Sequence, residues 1–199
     1  MHFSTLLLAL AASVVGQTSA AAIAERQSSA CAPLELYHAA GTSESGLGTV
    51  GRAFQTALPR EVQGATVSPL NYNTNAEYSS TVTAGAQTFQ QLLTSRAAAC
   101  PNTKFVLSGY SKGALVVHKV TLPSAVQSKV VAITVFGDPQ AGQFGATTVP
   151  INNKACFFSF CNRGDTFCDR GGNFAAHLAY ATDGSVTTAS RNIAGCYRA

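Results

Sequence analysis

Apolar runs and helix-spaced segments alternate along this chain. Residues 35–40 (ELYHAA) read as a first buried strand that ends in the glycine-rich turn at Gly41. Residues 49–58 read as a helix stopped by Pro59, and 65–70 as a short extended stretch. Over 79–99 the apolar positions Val82, Ala86, Phe89, Leu92 and Leu93 keep a helical spacing up to Pro101. Residues 104–107 (KFVL) form a short strand, and 114–120 a helix. The run 130–136 (VVAITVF) is rich in β-branched residues, as a central parallel strand is, and 155–160 (ACFFSF) repeats the pattern. A last helix lies between 186 and 194. Such alternation predicts a single α/β domain with a central parallel sheet covered by helices on both faces.

The amino terminus stands apart. Residues 5–15 (TLLLALAASVV) have the length of a signal-peptide core, and small residues follow over 18–22. A membrane-spanning helix needs about 20 apolar residues, and Gln17, Thr18 and Ser19 interrupt this run too early. A signal peptide over 1–20, a short pro-segment over 21–26 and a domain over 27–199 are therefore expected. The destination is extracellular, with no integral membrane association.

Composition narrows the class. Hydrophobic residues make up 46% of the chain and charged residues 11%, which excludes a disordered or nucleic-acid-binding tail protein. The net charge of +4 is modest, and its basic residues form no run. The six cysteines, at 31, 100, 156, 161, 168 and 196, read as three disulfides in an exported chain. Zinc binding is the competing reading, but the 161–168 spacing is not that of a zinc knuckle and no second close pair exists. No metal or other cofactor is implied.

The chemistry concentrates at Gly109-Tyr110-Ser111-Lys112-Gly113, a G-x-S-x-G between the KFVL strand and a helical pattern. That is the context of the α/β-hydrolase nucleophile elbow, with Ser111 as nucleophile. The turn is so tight that its flanks must be glycine, and it exposes the hydroxyl at a helix N-terminus. A serine nucleophile needs a base, and the base an acid, in the order Ser, Asp or Glu, His. His118 lies two turns along the following helix, so its role is read as structural, and His177 is the base, placed in a loop after ACFFSF. Asp138, at the end of a strand, competes for the acid. Asp165 is preferred because a disulfide across 161–168 would hold its carboxylate in place, and Asp169 comes last.

The oxyanion hole is expected from the N–H of Lys112 and from Thr42, which offers its N–H and hydroxyl in the loop 41–46. The formal G-x-G-x-x-G at 46–51 lacks the acidic residue a dinucleotide site requires.

Together these residues resemble the fungal cutinases and their acetylxylan esterase relatives, from about Cys31 to the C-terminus. GTSESGLGTVG (41–51) is similar to the family's oxyanion loop, GYSKG (109–113) to its elbow, and CNRGDTFC (161–168) with AAHLAY (175–180) to its acid and base segment. The resemblance implies Ser111, Asp165 and His177 as catalytic residues. It also implies disulfides Cys31–Cys100 and Cys161–Cys168, leaving Cys156 to pair with Cys196. Two positions depart from the pattern: Lys112 replaces a usual Gln, where its cation could alter the pH optimum, and Thr42 replaces a common Ser. The low cysteine count favours cutinase, while VFGDP (135–139) is similar to the acetylxylan esterases.

The expected activity is hydrolysis of cutin or a similar polyester, and of short- to medium-chain acyl esters, through an acyl-enzyme and without a large lid. Acetylxylan esterase and short-chain carboxylesterase are the alternatives within the enzyme class. A non-catalytic secreted binding protein is the alternative outside it, and an intact triad argues against that. Tyr110, Phe174, Leu178 and Leu70 are candidates for the substrate border, the last three reading equally well as core. A polyester or lipid-like ester is the expected partner, no nucleic acid is expected, and a monomer is the default.

Overall fold

The apolar runs become five strands: β1 (Leu34–Ala39), β2 (Thr66–Pro69), β3 (Lys104–Tyr110), β4 (Val130–Phe136) and β5 (Cys156–Phe160). In this computed structural model, which describes residues 30–144, 154–169 and 171–199, they form one sheet ordered β2-β1-β3-β4-β5. Every pairing is parallel. The expected leader and pro-segment lie outside the described residues, among which no helix is long and apolar enough to cross a membrane.

Helices α1 (Gly48–Glu61), α2 (Ser79–Ala99), α3 (Lys112–Lys119), α4 (Ser124–Gln127), α5 (Pro139–Phe144), α6 (Phe174–His177) and α7 (Ser185–Arg198) complete the described chain. Side chains alternate across a strand, so each strand feeds two cores. Leu34, Leu36, Val106, Ala132 and Phe136 pack with Val50, Phe54 and Leu58 of α1 and with Ala189 and Ile193 of α7. Tyr37, Phe105, Leu107, Ile133 and Val135 pack on the opposite face with Phe89 and Leu93 of α2 and with Val116 and Val117 of α3. Both faces are buried, which is why the central strands read as unbroken apolar runs.

Pro59 and Leu70 sit differently from what their sequence context suggests. Pro59 lies inside α1 rather than ending it. Only one main-chain donor is lost there, while Leu58 and Val62 are buried on either side and the Val62 N–H closes the helix on Leu58 O at 2.9 Å. Of the two readings open for Leu70, substrate border or core, the structure takes the second: it is buried in the α2–α3 core. Its N–H donates to His38 O at 2.8 Å, extending the edge of the sheet.

A polar row crosses the sheet interior where His38, Ser108 and Thr134 stand in register on β1, β3 and β4. His38 Nδ1 is 2.8 Å from Ser108 Oγ, and complete burial drives its ring down to a pKa of about 3, so it is neutral in the folded chain. Disulfides Cys31–Cys100, Cys156–Cys196 and Cys161–Cys168 are all formed. They tie the approach to β1 to the end of α2, β5 to the last turn of α7, and the two ends of the 161–168 loop to each other.

Candidate active site

The carboxyl ends of β1, β3, β4 and β5 all open towards one edge, where parallel α/β sheets carry their sites. At the end of β3 the chain reverses sharply into α3. Ser111 takes φ 53°, ψ −115° there, a backbone region costly for any residue with a side chain. Its N–H is tied to Phe136 O at 2.9 Å, which helps to hold that conformation. A Cβ on Gly109 would lie 2.3 Å from Gly113 O, and one on Gly113 would lie 1.9 Å from Ala39 O. The elbow therefore closes only with glycine at both positions.

Beyond β5, the loop 161–168 buries Asp165 completely. Asp165 Oδ1 accepts the Phe167 N–H at 2.8 Å, and Oδ2 accepts the Tyr180 hydroxyl at 2.6 Å. Oδ2 also lies 2.8 Å from His177 Nδ1. Burial, then the bond to Asp165, push the Tyr180 phenol well above its ordinary range, so it stays a donor. His177, expected in a loop, instead ends the one-turn α6, whose N-terminus Asn173 caps by accepting Ala176 N–H at 3.1 Å. Gly137, at φ 53°, leaves the room this ring needs: a Cβ there would lie 2.5 Å from His177 Cε1. On the other side the Tyr110 ring stacks on His177 at 4.9 Å, and its hydroxyl donates to His177 O at 2.8 Å.

Asp138 and His118 are drawn away from this centre. His118 Nε2 meets Asp138 Oδ2 at 2.7 Å, both side chains buried between α3 and the end of β4. The second aspartate is thus engaged by the second histidine, in an arrangement separate from Asp165 and His177.

The loop after β1 is organised by Glu44, whose role no motif in the sequence marks. Its carboxylate accepts Gly41 N–H, Thr49 N–H and the Thr49 hydroxyl, each at 2.7 Å. A carboxylate at the amino end of α1 also suits the helix dipole. The later glycines of the 46–51 motif make room for Glu44 and for His38, a packing role that accounts for them. Thr42 Oγ1 lies 2.5 Å from Tyr78 OH. The Lys112 side chain is buried and turned towards residues 73–77, with Nζ donating to Asn73, Asn75 and Glu77 carbonyls at 3.1, 2.5 and 2.8 Å. Burial pushes its ammonium below the usual lysine range, with Glu77 acting the other way.

A cleft of about 470 Å³ joins these parts, lined by Thr42, Glu44, Tyr78, Tyr110, Ser111 and His177 and rimmed by Phe167, Phe174 and Leu178. Phe174 and Leu178 are 56% and 58% exposed, so they stand at the mouth rather than in the core. Phe167 and Tyr78 were not anticipated, although an aromatic inside a disulfide-closed loop beside an acid is a readable signal for Phe167. Among the described residues no group of His, Cys, Asp and Glu could hold a metal ion.

A family model described as cutinase matches residues 30–195. The chain is 32% identical over 172 residues to the carboxylesterase Culp1 of Mycobacterium tuberculosis, spanning 80% of this chain and 79% of that protein. It is likewise 32% identical over 171 residues to a cutinase of Botryotinia fuckeliana, spanning 80% and 82%. Among solved structures, the cutinase of Trichoderma reesei in complex with a phosphonate inhibitor aligns with a TM-score of 0.70 at 27% identity, covering 89% of this chain and 84% of that one.

Proposed function

The chain belongs to the cutinase family and is a carboxylic-ester hydrolase, and from that premise we propose that Ser111, His177 and Asp165 are its catalytic triad, acting on hydrophobic polyesters and on short- to medium-chain acyl esters. The observation that carries this reading is the 2.8 Å contact of His177 Nδ1 with buried Asp165, opening on the same cleft as the strained Ser111 elbow. With Nδ1–H donating to the carboxylate, Nε2 is the free lone pair that takes the Ser111 proton. Ser111 Oγ then attacks the ester carbonyl. The Lys112 N–H and Thr42 are the donors we assign to the oxyanion, where hydrogen bonds aimed at developing charge lower the barrier. The imidazolium passes its proton to the leaving alcohol, and water repeats the sequence on the acyl-enzyme.

The apolar mouth supports an acyl-chain substrate over a polar sugar surface. Phe167, Phe174 and Leu178 expose aromatic and aliphatic surface where an acyl chain would enter. Three disulfides support an oxidising, extracellular setting, reached through the signal peptide and pro-segment, with the domain at 27–199 acting as a monomer without nucleic acid.

The test is hydrolysis of p-nitrophenyl esters from acetate to palmitate, with Ser111→Ala as control. A maximum at butyrate to medium chains, lost in the variant, supports the reading, and release of monomers from cutin would extend it to the polymer. Turnover confined to acetate shifts the substrate to acetylated polysaccharide. Labelling of Ser111 by an organophosphonate, the inhibitor class held by the Trichoderma reesei cutinase, separates an enzyme from a binding protein on the same fold.

A further inference from the structure

Residues 72–78 form a bridge that the reaction above does not use. On one side they are zipped to the loop that carries Thr42. Tyr72 OH donates to Ala40 O at 2.5 Å, Ser43 N donates to Thr74 O at 2.7 Å, and Thr74 Oγ1 donates to Glu44 O at 2.7 Å. Tyr78 OH completes the row at 2.5 Å from Thr42 Oγ1.

On the other side stands Lys112, the residue after the nucleophile. An ammonium has three protons and no acceptor, and here each proton has its own carbonyl, at Asn73, Asn75 and Glu77. Main-chain carbonyls satisfy this buried charge, and two ring faces lie near it, Tyr78 at 5.1 Å and Tyr72 at 5.8 Å. Glu77, gripped through its carbonyl, also caps the start of α2, its carboxylate accepting the Ser80 hydroxyl at 2.7 Å and Thr81 N–H at 3.1 Å. The bridge is thus pinned between the elbow, the oxyanion loop and a long helix.

We propose that the Lys112 side chain is a positioning residue of the oxyanion hole, seating Tyr78 through the 73–77 main chain so that the phenol donates to Thr42 Oγ1. A threonine hydroxyl carries a single proton. When Tyr78 donates to its oxygen, that proton is left to point at the substrate oxyanion. When Tyr78 is displaced, the hydroxyl is free to rotate towards water or its own backbone. Residue 112 therefore governs both oxyanion donors, one by its own N–H and the other through the bridge. A lysine suits this task because its three donors meet three carbonyls, whereas a glutamine amide has only two.

The proposal rests on the reading of Ser111 as nucleophile and Thr42 as oxyanion donor, so the experiment separates the two. Steady-state hydrolysis of p-nitrophenyl butyrate is compared for the full chain and for Lys112→Met, Lys112→Gln, Tyr78→Phe, Thr42→Val and the Lys112→Met/Tyr78→Phe double variant, with Ser111→Ala as background. Loss of a whole oxyanion donor lowers kcat by about 10²–10³-fold, and its misplacement is expected to cost about tenfold. Lys112→Met and Tyr78→Phe each lower kcat by that amount with KM within about twofold, and the double variant is no slower than the slower single one. Lys112→Gln falls between, and it replaces Lys112→Met in the cycle should the latter not fold. Full kcat in the Lys112 variants, losses that multiply in the double variant, or a raised KM with kcat intact overturns the proposal. A parent protein without Ser111-dependent turnover removes the esterase reading itself, and this proposal with it.

Discussion

His177 Nδ1 lies 2.8 Å from Asp165 Oδ2, while His118 presents its other ring nitrogen, Nε2, to Asp138 Oδ2 at 2.7 Å. The two buried pairs look alike in composition and differ in what they leave open. In the first pair the carboxylate engages Nδ1, which in the proposed triad leaves Nε2 to act on Ser111. In the second, Nε2 is already occupied by the carboxylate. Asp165→Asn is expected to lower kcat about 10³–10⁴-fold by stabilising the wrong imidazole tautomer. Asp138→Asn is expected to destabilise the fold by about 1–3 kcal/mol, the range for a buried hydrogen bond left badly made, with kcat per titrated active site within about threefold of the parent. Thermal unfolding and active-site titration by a phosphonate distinguish these outcomes. A large kcat loss in Asp138→Asn with an active Asp165→Asn would exchange their roles.

Gly137 makes a sharper geometric prediction. It combines φ 53° with the absence of a Cβ where His177 Cε1 would be 2.5 Å away and Asp165 Oδ2 2.9 Å away. Gly137→Ala therefore pays strain at the end of β4 and displaces the imidazole, since Asp165 is fully buried and has little room to move. A misplacement of that size is expected to cost about 10²-fold in kcat/KM, with the far-ultraviolet circular dichroism of the sheet unchanged. Activity within twofold of the parent would show that His177 is not held by this contact.

What could be read in the chain follows a physical divide. The strands of the central sheet were legible because burial on both faces leaves unbroken apolar runs such as VVAITVF. Ser111, Asp165 and His177 stood out as candidates because nucleophile, base and acid admit few residue types. The role of Leu70 was not legible, since an apolar side chain carries no mark of whether it faces a core or a cleft. The short helix ending at His177 depends on a single Asn173 cap, too local for a periodicity to register. The Lys112 bridge was hidden for a deeper reason. Its acceptors are main-chain carbonyls, which every residue has, so nothing in the identities of residues 73, 75 and 77 announces them.

The disulfides divide into two kinds. Cys31–Cys100 closes a separation of 69 residues, and its removal is expected to cost about 4 kcal/mol by loop-closure entropy. Cys161–Cys168 closes only 7 and should cost about 2–3 kcal/mol, yet it encloses the Asp165 loop. Replacing both cysteines of the long pair by serine should lower thermal stability most while leaving kcat at 25 °C nearly intact. Replacing the short pair should cost less stability and more than tenfold in kcat. The reverse ranking would mean that Phe167 N–H and Tyr180 alone hold the Asp165 carboxylate.

The His38–Ser108 row gives the fold a predictable sensitivity to acid. Burial holds the folded His38 pKa at about 3, against an ordinary value of 6.5. The unfolded chain therefore takes up a proton below about pH 6.5, while the folded chain refuses it down to about pH 3. Protons bind the unfolded state more tightly across that window, so stability from this group is complete above pH 6.5 and falls as the pH is lowered. At pH 5 the loss is on the order of 2 kcal/mol. His38→Gln keeps a donor and an acceptor near Ser108 and removes the titration. Chemical denaturation at pH 7.5 and pH 5 should show the parent losing about 2 kcal/mol more than the variant between the two conditions. Every other ionisable group, including Glu35 with its bond from Arg96 Nε at 3.0 Å, is common to both proteins and cancels in the comparison. Parallel pH profiles would mean that the folded protein accepts a proton on His38, through water reaching its unpaired Nε2, and that the row is less dry than its burial implies.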